Sequence, residues 1–335
     1  MRRKLAAGPG SRLAATGTDC VAMRFSVYQE SRKGGRAVNQ DRMGYLYTRK
    51  SLLMMVADGM GGHARGEVAA ETTLQTLAAV FQRDARPMLA DPAAFLEQAI
   101  QAAHRDLHRY RAENRLPEAP RTTVVACVVQ EGIATWAHVG DSRLYLLRGG
   151  RIAHRTLDHS RVQSLVVSGL IRPEDVKDHP ERNRIHNCIG AFVTPKVEIA
   201  RKAALHPGDA MLLCSDGLWG ALSDEDIIGA FGRLTVMRAV PELMDKAMAA
   251  SGPEPDNCTA IAMSWAGAES MDMIPPTESP VSTLVIPEGS IASTVQMARP
   301  GEPAAEEPLT EEQIDDAVAE IQRAIQRSNK LVQNK

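Results

Sequence analysis

Four aspartates stand at or beside the ends of apolar, strand-like segments, and a small or turn-forming residue follows each of them. They are Asp58-Gly59, Asp141-Ser142, Asp216-Gly217 and Asp256-Asn257. One carboxylate at a strand end is ordinary, because an aspartate that begins a turn caps its own backbone. Several carboxylates at one rim of a layered sheet would repel one another unless cations neutralised them. Two interpretations follow: a site for hard divalent ions such as Mg²⁺ or Mn²⁺, or four independent turn-capping aspartates.

The elements around these aspartates alternate between groups of strands and pairs of helices. Hydrophobic periodicity predicts helices over 66–82, 95–111 and 240–250, with Pro241 in the first turn of the last one. Three strands joined by short turns are predicted between residues 122 and 148. Consecutive strands joined by tight turns pair antiparallel. This order favours an α+β layered sandwich over a doubly wound sheet.

Composition excludes several functional classes. The 335 residues carry a formal net charge of −2, so the basic footprint of a nucleic-acid-binding protein is missing. No apolar stretch is long enough to span a bilayer, and the N-terminus lacks the apolar region of a secretory signal. We therefore expect a cytoplasmic protein with no nucleic-acid or membrane partner. The five cysteines are scattered and show no zinc-binding spacing.

Changes in composition predict four regions. Residues 1–22 are predicted to be a disordered N-terminal extension, and 23–266 a folded domain. Residues 267–309 are rich in Pro, Ser and Glu and are predicted to be a flexible linker. Residues 310–332 are predicted to form an amphipathic helix.

The predicted C-terminal helix has both a start signal and an apolar stripe. Thr310 and Gln313 have the spacing of a capping box. The stripe consists of Ile314, Val318, Ile321, Ile325 and Val332. A helix this short is marginal alone in water, so we expect it to dock on the domain's own surface or on a partner helix, including its copy in a second chain. The alternative is a mostly disordered tail.

Seven ordered segments carry a resemblance to a known family. They are GRAVNQD (35–41), VADGMGGH (56–63), VGDSRLYLLRGG (139–150), TLDHSRVQSLVVSGLI (156–171), HPERNRI (179–185), LLCSDGLWG (212–220) and PDNCTAIAM (255–263). They resemble the metal-dependent PPM family of Ser/Thr protein phosphatases, known as type 2C, in its bacterial form. The resemblance covers roughly residues 23–265, so the domain 23–266 is expected to be of PPM type.

The resemblance implies a fold and an activity. The family fold is an α-β-β-α sandwich of two antiparallel sheets flanked by helices, here with a flexible C-terminal extension. The implied reaction is the hydrolysis of phosphoserine and phosphothreonine in proteins by a water that two metal ions activate. Phosphoprotein substrates and a cognate bacterial Ser/Thr kinase are the implied partners in signal transduction. The alternatives are a catalytically weak PPM-fold module that regulates or binds partners, and a phosphatase of an anti-sigma pathway.

The same resemblance assigns the metal ligands, with Mn²⁺ or Mg²⁺ as the implied ions. Asp58 corresponds to the ligand that bridges both core ions, and the carbonyl of Gly59 would complete the second. Asp216 and Asp256 would hold the first ion. Asp141, together with Asp216, corresponds to the site of a third and weaker ion.

Other site residues are assigned in the same way. Arg36 corresponds to the phosphate-binding arginine and, with Asp58, is a predicted catalytic residue. Asp41 would support the metal ions through waters, and Asn257 would orient the neighbouring Asp256. Gln40 stands where many members have Glu, and Met60 stands where eukaryotic members have a histidine, so the general acid is left unassigned.

Four histidines have less specific interpretations. His159 and His179 lie in the part of the chain that family members use as a flap beside the cleft; we call residues 156–185 the flap segment. Both substrate contact and a structural role in a turn are open for each. His104 and His108 have i,i+4 spacing, and an exposed helix face is the expected location.

Competing phosphatase and kinase chemistries lack their motifs in this sequence. None of the five cysteines has the arginine spacing of cysteine phosphatases, and no phosphate-binding P-loop is present.

Overall fold

Two antiparallel sheets form the centre of the protein. The computed structural model describes residues 21–60, 65–176, 179–200, 202–270 and 290–295. The first sheet has the strand order β1 (Val21–Arg32), β11 (Cys258–Ser270), β10 (Ala210–Cys214), β6 (Arg143–Arg148) and β7 (Arg151–Arg155). The second has the order β12 (Ala292–Ser293), β2 (Asp41–Tyr47), β3 (Ser51–Asp58), β4 (Val124–Gln130), β5 (Ile133–Val139) and β8 (Glu198–Ile199), and β9 (Ala203–Ala204) also pairs with β5.

Helices cover both outer faces of this sandwich. α1 (Gly66–Asp84) and α2 (Pro92–Glu113) pack on the second sheet, whereas α4 (Asp216–Trp219), α5 (Asp224–Arg233) and α6 (Val236–Ala250) pack on the first. α3 (Arg161–Val167) and a 3₁₀ turn (Pro173–Val176) lie between β7 and β8. The predicted α+β sandwich is therefore confirmed. Within the described ranges, no helix is both long and apolar enough to cross a bilayer.

Strand β3 shows how the sequence produces these layers. Its side chains alternate between the two faces of the sheet, as in any strand. Leu53 and Met55 pack with residues of α1 and α2, while Leu52 and Met54 pack against the first sheet. Because both faces are covered, β3 is an almost continuous apolar run that ends at Asp58. The strand therefore places the carboxylate of Asp58 at the rim of the sandwich.

The C-terminal part of the described chain lies along β2. Residues 290–295 fall within the predicted linker 267–309, and they include β12. The backbone N–H of Thr294 donates to the carbonyl of Tyr45 at 3.0 Å. A Cβ on Gly44 would lie 2.5 Å from Cγ2 of Val295, so a larger residue here would require the Val295 side chain to shift. We call residues 290–295 the edge strap.

Three regional predictions fall mainly or wholly outside the described residues. They are the disordered extension 1–22, of which only the first two residues of β1 are described, the linker 267–309, of which only 267–270 and 290–295 are described, and the amphipathic helix 310–332. At the predicted domain boundary, β11 continues past residue 266 to Ser270.

Candidate active site

One cleft at the rim of the sandwich gathers the residues predicted from the sequence. Its volume is about 490 Å³. Eight of the nine predicted site residues line it: Arg36, Gln40, Asp58, Gly59, Asp141, Asp216, Asp256 and Asn257. The ninth, Asp41, is buried and does not line the cleft. Met60, Thr123, Asn183 and Ile185 complete much of the remaining wall.

The register of β2 and β3 brings Asp41 beside Asp58. The two residues are cross-strand partners at the end of the β2–β3 ladder. Oδ2 of Asp41 accepts a hydrogen bond from Oγ of Ser215 at 2.7 Å. Ser215 belongs to the other sheet's strand end and immediately precedes Asp216. Asp41 therefore joins the two strand ends that carry Asp58 and Asp216.

Two threonines directly before β4 hold the backbone of Asp58. Oγ1 of Thr122 and the backbone N–H of Thr123 both donate to the carbonyl of Asp58, at 2.7 and 2.9 Å. Oγ1 of Thr123 accepts from the N–H of Asp58 at 3.3 Å and bonds Oγ of Ser142 at 2.7 Å. Neither threonine was predicted from the sequence as a site residue. Two adjacent hydroxyl side chains before an apolar strand were the available signal.

Gly59 sits where two segments nearly touch. Its N–H donates to the carbonyl of Gln40 at 3.1 Å. A Cβ at this position would lie 2.3 Å from the carbonyl oxygen of Gly66, at the start of α1. The contact requires glycine for steric reasons, independent of any role of its carbonyl as a ligand.

Arg36 forms a two-pronged ion pair with Asp256 across the cleft. Its Nε and Nη2 donate to the two carboxylate oxygens at 2.8 and 2.7 Å. Both side chains are partly exposed, with 58% and 41% of their surfaces accessible. A guanidinium can bind phosphate oxygens with the same two-pronged geometry.

Asn257 acts mainly on the loop that carries Arg36. Its Oδ1 accepts from the N–H of Gln40 at 2.8 Å. Its Nδ2 donates to the carbonyls of Lys33 and Val38, at 2.7 and 3.1 Å. The predicted link to Asp256 runs through the backbone, since the N–H of Asn257 donates to Oδ1 of that residue.

The turn at Asp141 is held from behind by an aromatic side chain. Nε1–H of Trp219 donates to the carbonyl of Asp141 at 2.9 Å. The guanidinium of Arg143 lies 3.5 Å from the Trp219 ring centroid and pairs with the buried carboxylate of Asp158. Trp219 lies three residues after Asp216 on the short helix α4. The same helix therefore presents one carboxylate and supports another.

The buried carboxylates disfavour one another's charge. Burial raises the pKa values of Asp58 and Asp141 well above the usual range, and nearby carboxylates raise them further. Burial also raises the pKa of Asp216 to about 7, with Asp256 and Asp41 adding to the effect. The pKa of Asp41 is raised as well, again mainly by burial.

The oxygen atoms in this cleft and directly behind it fit hard divalent cations. Oδ1 of Asp41 and Oδ1 of Asp141 are buried and have no hydrogen-bond partner within the described part of the chain. Oxygen ligands without competing partners, in a group of carboxylates that repel one another, suit Mg²⁺ or Mn²⁺. A bound cation would offset both the burial and the repulsion.

The two histidines of α2, His104 and His108, do not line this cleft. The predicted exposed location is wrong for His104, which is buried. Nδ1 of His104 accepts from the N–H of Gly190 at 3.2 Å. Nε2 of His108 bonds the carbonyl of Ala191 at 2.9 Å. Both side chains therefore attach a loop to α2.

Comparison with known proteins agrees with this geometry. Residues 29–251 match the family described as protein phosphatase 2C. The chain belongs to the protein phosphatase 2C family. The predicted resemblance is thereby confirmed. A curated 2C relative, the serine/threonine protein phosphatase PstP of Mycobacterium tuberculosis, is 36% identical over 227 residues. That match covers 68% of this chain and 42% of PstP, so this chain spans less than half the length of that relative.

Solved 2C-family structures share the fold. The serine/threonine phosphatase Stp1 from Staphylococcus aureus is 28% identical, with a TM-score of 0.67 over 78% of this chain and 100% of its own. The catalytic domain of PstP in complex with two manganese ions is 31% identical. It has a TM-score of 0.61 over 74% of this chain and 100% of its own.

Proposed function

We propose that this 2C-family protein is a metal-dependent protein serine/threonine phosphatase. The observation that carries the proposal is the single cleft in which Asp58, Asp141, Asp216 and Asp256 lie together with Arg36. Acidic residues alone would fit many cation sites. The guanidinium at their edge adds a group suited to a phosphate ester.

The ligands for two core ions would come from three strand ends. Asp58 and the carbonyl of Gly59 would serve the second ion, while Asp58, Asp216 and Asp256 would serve the first. Bound Mn²⁺ or Mg²⁺ would supply an activated water and neutralise the charge of the phosphoryl group. The PstP neighbour binds two manganese ions, which supports a two-ion core here. Asp141, with Asp216, would hold a third ion.

The chain's own side chains would bind and orient the substrate. Arg36 would exchange part of its pairing with Asp256 for phosphate oxygens, which is feasible because both side chains are partly exposed. Asn257 keeps the Arg36 loop in place through its three side-chain hydrogen bonds. Asp41 keeps Asp216 in place through Ser215.

The proposed substrates are phosphoserine and phosphothreonine residues of proteins, placed there by a bacterial Ser/Thr kinase. The relatives' names support this class of substrate, since PstP and Stp1 are both described as serine/threonine phosphatases. The kinase is inferred because a phosphatase of this kind requires an enzyme that forms its phosphoester.

The test measures phosphate release from a phosphothreonine peptide by the full chain. We expect activity with Mn²⁺, loss of activity in EDTA and recovery when Mn²⁺ is added back. Asp58→Asn should abolish turnover while leaving the folded structure intact. Asp224→Asn is the matched control, because this carboxylate pairs with Arg155 and does not line the cleft. Full activity of Asp58→Asn, or full activity in EDTA, would refute the two-ion proposal.

A further inference from the structure

A cluster of histidines lies behind the Asp141 turn, outside the cleft lining. The rings of His138 and His159 are stacked, with centroids 4.5 Å apart and an angle of 21° between their planes. Nε2 of His159 is 3.3 Å from Oε2 of Glu198 on β8. One nitrogen of each of these two histidines and a Glu198 oxygen lie within 4.8 Å of one another. The residue types alone would suggest a transition-metal site.

The hydrogen bonds of His159 disfavour that interpretation. The single lone pair on Nδ1 of His159 is shared by two donors, the backbone N–H of Gly140 at 3.1 Å and Nδ2 of Asn187 at 2.8 Å. The orientation of the Asn187 amide is fixed by two further bonds, because its Nδ2 donates to the carbonyl of Lys196 and its Oδ1 accepts from the Lys196 N–H. A neutral imidazole whose Nδ1 is an acceptor carries its proton on Nε2. Nε2 then donates to Glu198 and has no lone pair for a metal.

The backbone of His159 adds to these connections. Its N–H donates to the carbonyl of Gly140 at 2.9 Å, so the two residues exchange a pair of hydrogen bonds. Its carbonyl accepts from the N–H of His186 at 3.0 Å. Ser160, the next residue, forms a β-bridge with Ile185, which lines the cleft. His159 thus connects the Asp141 turn to the part of the flap segment that lines the cleft.

We propose that His159, as the neutral Nε2–H tautomer, is a positioning residue that holds the Gly140–Asp141 turn in register with the flap segment. The proposal rests on the proposed function, since it makes Asp141 part of the working site. The carboxylate of Asp141 has an unpartnered Oδ1, so its location depends on how the backbone of the turn is held. That backbone is held by Trp219 on one side and by His159 on the other.

The surroundings of His159 agree with a neutral ring. Burial lowers its pKa, and the neighbouring His138 lowers it further. Glu198 acts in the opposite direction, and His186 adds to the lowering. His138 itself is buried, with a lowered pKa, and its Nε2 bonds the carbonyl of Leu157 at 2.8 Å.

The first test compares two substitutions at His159. His159→Asn places an amide oxygen near the position of Nδ1, where it can still accept the Gly140 N–H. His159→Leu fills the site without an acceptor and leaves that buried N–H unsatisfied, which is unfavourable. We expect His159→Leu to lower kcat on a phosphothreonine peptide by about tenfold and to raise the Mn²⁺ concentration for half-maximal activity, with KM within about twofold of wild type. His159→Asn should recover most of the lost kcat.

His186→Ala is the matched control. It removes a neighbouring ring, 6.2 Å from that of His159, without removing the acceptor for the turn. We expect it to match wild type in kcat and in Mn²⁺ dependence. Equal losses in His159→Leu, His159→Asn and His186→Ala would show a general packing role and would overturn the proposal.

The second test does not depend on activity. Long-range ¹H–¹⁵N spectra of the full chain labelled on histidine should show His159 with an unprotonated Nδ1 and a protonated Nε2, its signals identified by their loss in His159→Asn. One equivalent of Zn²⁺ should leave these signals unchanged. A protonated Nδ1, or Zn²⁺ binding that His159→Leu abolishes, would overturn the tautomer assignment. Inactive wild type with the expected tautomer would refute the phosphatase function alone. Active wild type with an unaffected His159→Leu variant would refute the positioning role alone.

Discussion

The carboxylate of Asp216 is predicted to destabilise the metal-free fold at neutral and alkaline pH. Its pKa is about 7 in the folded protein, against a usual value of 3.8. Between these two values the folded state keeps a proton that the unfolded state releases. Stability should therefore fall as the pH rises from about 4 to about 7, and the loss is complete above that window.

The size of the effect follows from the same pKa. When the pKa of a carboxyl rises from 3.8 to about 7 on folding, the free energy of unfolding at pH 8 falls by up to about 4 kcal/mol. Asp216 interacts with Asp41 and Asp256, so the effects of the three groups on stability do not add. We therefore expect substitution of Asp216 to remove about 2 kcal/mol of this destabilisation. Asp216→Asn cannot ionise. In EDTA at pH 8 the variant should be more stable than wild type by about 2 kcal/mol, and this difference should vanish near pH 4.

Urea unfolding followed by tryptophan fluorescence measures this difference. The series runs from pH 4 to pH 8, in EDTA and in excess MnCl₂. In Mn²⁺ the order should reverse, because ions that bind only the folded wild type stabilise it by mass action. Glu97→Gln is the control, since this exposed acid on α2 should change stability by less than about 0.5 kcal/mol at any pH. If Asp216→Asn were less stable than wild type in EDTA at pH 8, the reasoning from the burial of Asp216 and its repulsion by nearby carboxylates would be refuted.

Three further substitutions probe separate parts of the cleft. Arg36→Ala should raise KM for a phosphothreonine peptide by about tenfold with a smaller change in kcat, because Arg36 is proposed to contact the phosphate and not a metal ion. A pure kcat effect in steady-state kinetics would contradict this. Asp141→Ala should lower turnover yet retain two equivalents of Mn²⁺ in calorimetric titration, and loss of both core ions would show that its assignment to a third ion is wrong. Gly59→Ala should destabilise the fold by about 1–3 kcal/mol in urea titration, because its Cβ would overlap the Gly66 carbonyl, and unchanged stability would contradict the close approach.

Much of the fold could be predicted from local pattern. The apolar run 51–58 and the three strands between residues 122 and 148 are strands in the structure, since alternation and tight turns specify antiparallel pairing from neighbouring residues alone. Boundaries were less accurate. The helix predicted over 240–250 begins at Val236, which places Pro241 inside it instead of in its first turn. Here packing on the first sheet overrides the local signal of proline.

The positions of the predicted site residues followed from the family motifs, but the contacts that hold them did not. Arg36 and Asp256 are 220 residues apart in sequence, and neither segment contains a pattern that predicts their ion pair. Trp219 lies within a quoted motif, yet its hydrogen bond to the Asp141 carbonyl requires two strand ends to meet. Such contacts depend on tertiary register, which one sequence specifies only through the whole fold.

The edge strap has a practical consequence for locating the boundary of the folded domain. A chain ended at residue 266 would lose the last residues of β11 and all of β12, so the backbone groups of β2 near Tyr45 and Tyr47 would lose their strand partner. Uncovered edges recruit strands from other molecules. Aggregation of such a fragment would then result from the exposed edge of β2. It would not show that residues 310–332 have a role. A chain that ends directly after Val295 lacks residues 310–332 but keeps the edge of β2 covered. The contribution of residues 310–332 to binding can therefore be measured by comparing this fragment with the full chain.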